Sequence, residues 1–228
     1  RVRMNEEQGI DLQIINPTFA LGMLHSVLLK FPALVGDYCE AYNRWITSIC
    51  SDHVDRLLPT ALVDFSDPER AVDELTRVRH AGSRTFLLPM RPVLGKPPSH
   101  PDFDAIWDAA ADLDLIPTMH VTSAGPHYEL DWLNTGRGND QAVFWRLGFM
   151  YTPTVAMLAL SDLIFSGFFD RHPDMVVMCS EFGLTWLSGY VDKLQDGRSA
   201  FREMGLELTP REYIIRNIRF TTLPQGDA

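Results

Sequence analysis

Six short apolar runs, most of them rich in β-branched residues, recur along the chain and alternate with segments of helical periodicity. They lie at 11–16, 58–63, 84–88, 116–121, 175–179 and 218–222, each the length of a strand. Between them, Tyr38, Tyr42, Trp45 and Ile49 fall on one helical face, as do Val72, Leu75 and Val78, and again Phe103, Ile106, Trp107, Ala110 and Leu113. The middle helix is punctuated at both ends, by Ser66-Asp67-Pro68-Glu69 before it and Gly82 after it. A helix between consecutive strands carries the chain back over the sheet, so that the next strand runs parallel to the last. The alternation therefore predicts an α/β fold with a parallel sheet.

Two architectures satisfy that pattern: an open doubly wound sheet of six strands, or a closed barrel of eight. A doubly wound nucleotide binder needs a glycine-rich turn after its first strand. Asn16-Pro17-Thr18-Phe19-Ala20-Leu21-Gly22 has neither that turn nor a phosphate-binding lysine. The expectation is a (β/α)8 TIM-like barrel, seen as about six β/α units, with the first and last strands lying outside the sequence. In this reading residues 1–228 are one barrel domain and a fragment of it, and 123–153, rich in Gly, Asn and aromatics, is a long loop or lid after the fifth barrel strand.

Composition narrows the function. The net charge of −10, with Lys and Arg scattered, disfavours a nucleic-acid partner. No run of about 20 uninterrupted apolar residues predicts a membrane span. Cys39, Cys50 and Cys179 lack metal or redox spacing and sit in apolar-periodic segments, so they read as buried thiols of a cytoplasmic protein. The stretch from Val155 to Phe169 is apolar nearly all round, which calls for cover by the lid or by a second subunit. A homo-oligomer, a dimer for choice, is expected.

His120 ends an apolar strand, where a barrel places its reactive side chains, and a neutral imidazole is a common metal ligand. A core histidine bonded to a backbone carbonyl has the same sequence pattern. Glu181 follows the fifth run, where it can serve as ligand or as general acid/base; it can equally be the N-terminal glutamate of a helix expected over 184–194. His127, in the long connection, and Arg91, after the third strand, are candidate substrate contacts, and Asp64 holds a similar strand-end position. No serine or cysteine nucleophile motif is visible in the sequence.

The segment Asp162-Leu163-Ile164-Phe165-Ser166-Gly167-Phe168-Phe169-Asp170-Arg171-His172-Pro173-Asp174 resembles the amidohydrolase-related family, which includes aminocarboxymuconate-semialdehyde decarboxylase. Gly9-Ile10-Asp11, Arg56-Leu57-Leu58-Pro59 and Ile116-Pro117-Thr118-Met119-His120 have counterparts there in the same order. The resemblance implies a distorted barrel with one divalent metal, commonly zinc, held by a His-x-His pair on the first strand, a histidine on the fifth and an aspartate after the eighth. His120 matches the fifth-strand histidine if the visible strands are the second to the seventh. Glu181 stands where many members carry a catalytic histidine, and Glu181-Phe182-Gly183-Leu184-Thr185-Trp186 is similar to a branch with glutamate there. The implied activity is metal-dependent hydrolysis or non-oxidative decarboxylation of a small carboxylated or cyclic compound. The alternative is a barrel that keeps the scaffold for binding without catalysis.

Overall fold

The computed structural model describes residues 1–121, 130–136, 138, 140–196, 201 and 203–222. The helices and strands in chain order are α1 (Val2–Glu7), β1 (Gln13–Ile15), α2 (Thr18–Lys30), α3 (Val35–Cys50), β2 (Leu57–Ala61), α4 (Pro68–His80), β3 (Thr85–Leu87), α5 (Asp104–Asp112) and β4 (Ile116–His120). There follow α6 (Asp140–Phe165), α7 (Phe168–Arg171), β5 (Val177–Ser180), α8 (Leu187–Gln195), α9 (Pro210–Asn217) and β6 (Ile218–Phe220). Each of the six predicted strands is present.

The sheet runs β1-β2-β3-β4-β5-β6, every pair parallel. A doubly wound sheet reverses its strand order midway, and this one never does. With the right-handed crossover of parallel units, an order that always advances the same way carries every connecting helix over the same face. The other face is left to curl on itself, giving the wall of a (β/α) barrel.

The two faces differ chemically as that geometry requires. Phe86, Met119, Val177, Cys179 and Ile218 point outward into one core with Trp107, Leu160, Phe168, Phe169 and Tyr213 from the helices. Burying each of these large side chains contributes about 1.5–3 kcal/mol. Toward the inside, the Thr60 and Thr85 hydroxyls lie 2.8 Å apart, and Thr60 Oγ1 donates to Asn16 Oδ1 at 3.0 Å. The inner face is polar where β1, β2 and β3 meet.

Helix ends follow the sequence punctuation. Asp67 accepts the Arg70 N–H at 3.1 Å with Pro68 in the first turn, and Gly82 leaves the helix at φ +102, a value that favours glycine. Thr209 and Glu212 form a reciprocal capping box at α9. The family-like segment 162–174 proves to be a clamp between elements. Asp162 accepts both the N–H and the hydroxyl of Ser99, Arg171 Nη2 donates to Ser99 O at 2.6 Å, and Asp170 accepts from the Tyr213 hydroxyl. His172 lies between Asp104 at 3.3 Å and Asp108 at 3.4 Å.

Two expectations are corrected. The inward face of α3 is Val35, Cys39, Tyr42, Ile46 and Cys50, leaving Trp45 and Ile49 exposed. The rotation follows buried Asn43, which donates to Leu62 O and Glu74 Oε1 and accepts the Leu62 N–H at 2.8 Å. The helix expected from Val155 begins at Asp140, so 140–153 is helical and Pro153 lies inside α6. Val155, Ala156, Ala159, Leu160, Leu163 and Ile164 are buried against the barrel, and the helix ends before Gly167 at φ +69. By length and composition α6 could cross a bilayer, but this half of it is core. Cys39, Cys50 and Cys179 are buried free thiols, and burial pushes Cys179 up to about 12.

Replacing Asn43 by Ala strands the Leu62 amide and carbonyl inside the protein, and is expected to lower the unfolding free energy in urea by about 2–4 kcal/mol. Exposed Arg44→Ala, one residue on, should change it by less than about 0.5 kcal/mol.

Candidate active site at the carboxyl end of the barrel wall

Parallel strands all finish at the same end of the sheet, so residues at their carboxyl termini gather there whatever their distance in sequence. His120 ends β4, Glu181 follows β5, and Thr221 and Thr222 follow β6. The β4–β5 register sets His120 opposite Ser180. Since Met119 points outward into the core, alternation turns His120 to the inner face, where it is buried.

Glu181 reaches this histidine because the backbone bends sharply after β5. Its φ is +66, a left-handed value uncommon for a residue with a Cβ, and its N–H is held by Thr221 Oγ1 at 3.0 Å. Thr221 is itself fixed, donating its N–H to Cys179 O at 3.1 Å. Glu181 Oε2 then lies 3.4 Å from His120 Nε2. The glutamate is no helix cap: α8 starts at Leu187, six residues beyond it in the chain. Conformations of this kind cost about 1–3 kcal/mol and concentrate at functional sites.

The pair is electrostatically unequal. Burial lowers the His120 pKa, and the Glu181 charge pulls it back up. Burial is the larger cause, so the imidazole is held toward the neutral form that ligates metals. The Glu181 side chain stays 52% exposed, open to solvent and to a ligand. It lines both a cavity of about 280 Å³ toward the barrel interior, shared with Asn16, Ser180 and Thr221, and one of about 1120 Å³ bounded by α6 and the β5–α8 segment.

The donor chemistry suits a divalent ion in part. Imidazole nitrogen is an ordinary ligand of a divalent ion, and the Glu181 carboxylate 3.4 Å away is near enough to exchange a proton with a group held there. Among the described residues, however, no group of three or more His, Cys, Asp or Glu side chains converges to complete a coordination sphere.

The other candidates are placed elsewhere. Arg91 is exposed and hydrogen-bonds His25 Nδ1 of α2 at 3.3 Å; burial and the Arg91 charge lower the His25 pKa. Asp64 is turned back to accept the Ser66 N–H at 2.9 Å. His127 lies outside the described residues. Asn16 and Thr221 were not singled out in the sequence, although both sit at strand ends, which was the available signal.

The amidohydrolase family model matches residues 1–212. An amidohydrolase from Mycobacterium avium subsp. paratuberculosis superposes with a TM-score of 0.78 at 19% identity, covering 100% of this chain and 59% of that one. The 5-carboxyvanillate decarboxylase of Sphingomonas paucimobilis gives 0.69 at 20% identity, covering 100% and 65%. That of Novosphingobium aromaticivorans, solved with manganese and 4-hydroxy-3-methoxy-5-nitrobenzoic acid, gives 0.69 at 22%, covering 97% and 61%. The chain thus spans about three fifths to two thirds of these structures. No curated protein matches it in sequence.

If the bend at Glu181 is strained, Glu181→Gly should leave the unfolding free energy within about 1 kcal/mol of wild type, whereas β-branched Glu181→Val should cost about 2 kcal/mol or more. Equal costs in urea denaturation would show that no strain resides there.

Proposed function

The chain belongs to the amidohydrolase family, and on that premise we propose that it carries part of a one-metal active site for hydrolysis or non-oxidative decarboxylation of a small carboxylated or cyclic compound. The observation that carries this reading is the approach of His120 Nε2 to Glu181 Oε2, one group buried and the other open to a cavity. His120 is the metal ligand. Glu181 is the general acid/base.

A bound divalent ion supplies Lewis-acid polarisation of a substrate carbonyl or carboxylate. Zinc is the ion of this reading, with manganese as the rival, since manganese is present in the Novosphingobium decarboxylase. Burial keeps His120 toward the neutral form that can ligate an ion. Glu181 moves the proton. In decarboxylation the electrons of the breaking C–C bond stay on the ring carbon, and Glu181 delivers a proton there as CO2 leaves; in hydrolysis it takes one from water and passes it to the leaving group. Phe182 and Trp186 line the larger cavity beside Glu181 and offer apolar surface to a bound substrate.

Solved structures of the same fold include an amidohydrolase as well as decarboxylases, and the reading keeps both branches. Arg91, exposed beside His25 and outside the residues that line the two cavities, and His127 are kept as the candidate substrate contacts of this reading. The enzyme works in the cytoplasm as a homo-oligomer, with an active site of one subunit serving one small molecule. Free buried thiols support the compartment, and exposed Trp145 and Leu158 on α6 support a subunit contact.

Metal analysis tests the assignment. His120→Ala should lose most of the bound zinc or manganese, whereas Glu181→Gln should keep it and lower kcat on aromatic carboxylates or cyclic amides by about 10²–10⁴-fold. Unchanged metal content in His120→Ala would sink the proposal.

A further inference from the structure

The cavity beside Glu181 is large and lopsided in chemistry. At about 1120 Å³ it slightly exceeds the range of about 300–1,000 Å³ that encloses drug-sized ligands. Glu181 is the one charged side chain among the described lining residues. From there the described wall is uncharged and mainly apolar, with Phe182 and Trp186 on one side and Phe149, Met150 and Met157 of α6 on the other, and with Thr152, Thr154, Thr185 and Thr222 as its neutral polar residues. Phe149 to Met157 covers about 12 Å of helix at 1.5 Å per residue.

Phe149 and Met150 are 74% and 72% exposed, so they are no part of the folding core. Their apolar character is unexplained by stability. Trp186 is held in place by Nε1, which donates to the carbonyls of Phe182 at 3.0 Å and Gly183 at 3.1 Å. With its N–H satisfied by backbone, the indole presents hydrocarbon surface to the cavity, suited to stacking on a flat ring.

Resting on the active-site reading above, we propose that the substrate has an extended, uncharged apolar body, longer than one ring, laid along α6 from Phe149 to Met157 with its reacting polar end at Glu181. Phe149, Met150 and Met157 are then specificity-determining residues. A second charged group at the far end would meet no counter-ion among the described lining residues and would be disfavoured.

The test uses two neutral probes of the same polar end, benzamide and naphthalene-2-carboxamide, titrated calorimetrically into the full chain. The naphthalene compound should bind at least tenfold more tightly. Phe149→Asp, a change at an exposed position, should cut that ratio by fivefold or more with benzamide affinity little altered. Phe19→Asp, at an exposed apolar residue of α2, should leave the ratio intact. Equal affinities, no binding of either amide, a ratio indifferent to Phe149→Asp, or one equally reduced by Phe19→Asp would each overturn the proposal. Metal retention in His120→Ala fails the catalytic reading independently, because the amide ratio needs no turnover.

Discussion

The site depends on one register: β4 beside β5 with His120 opposite Ser180. Side chains alternate along a strand, so a slip of a single residue would send His120 into the helix-side core and bring Met119 inward. The outward partners prevent it. Met119, Val177 and Cys179 fit the layer built on Trp107, Leu160 and Phe168, and that layer fixes which way every other residue of these strands faces. His120 and Glu181 are therefore positioned by hydrophobic packing on the opposite side of the sheet. Thr221, just beyond β6, accepts the Glu181 amide and so ties the bend to the next strand.

The motif that most resembles the family performs a different task. Asp162, Asp170, Arg171 and His172 bind Ser99, Tyr213 and the acidic start of α5, so their charges and hydrogen-bonding capacity are spent joining α5, α6, α7 and α9. This network holds the outer helices on the strands. It contributes no side chain to either cavity beside Glu181. Family likeness in this chain is carried largely by the residues that hold the wall in shape, while the chemistry sits on strand ends whose neighbours in sequence look ordinary.

That division explains what the sequence disclosed. Strand positions were legible because period-two and period-3.6 patterns depend on burial, which composition records directly. The α3 face was misjudged because Asn43 and Thr47 are polar residues at buried positions, satisfied by partners that only the folded chain brings near. The start of α6 was not legible because 123–153 is rich in Gly, Asn and aromatics; the helix runs through Gly148 and Pro153, with Thr152 Oγ1 donating to Gly148 O at 2.6 Å. His120 was legible from its place at a strand end. The bend at Glu181 was not, since its φ is imposed by β6 some 40 residues later.

The three thiols give the protein internal clocks. Each is buried and shifted away from the reactive thiolate form, so none meets an alkylating reagent until its own layer opens. Cys39 and Cys50 belong to the packing of α3 on β2, whereas Cys179 lies in β5, two residues before Glu181. Labelling rates followed cysteine by cysteine would time the loosening of one flank of the wall separately from that of the strand that leads into the Glu181 bend, with no probe added to the chain.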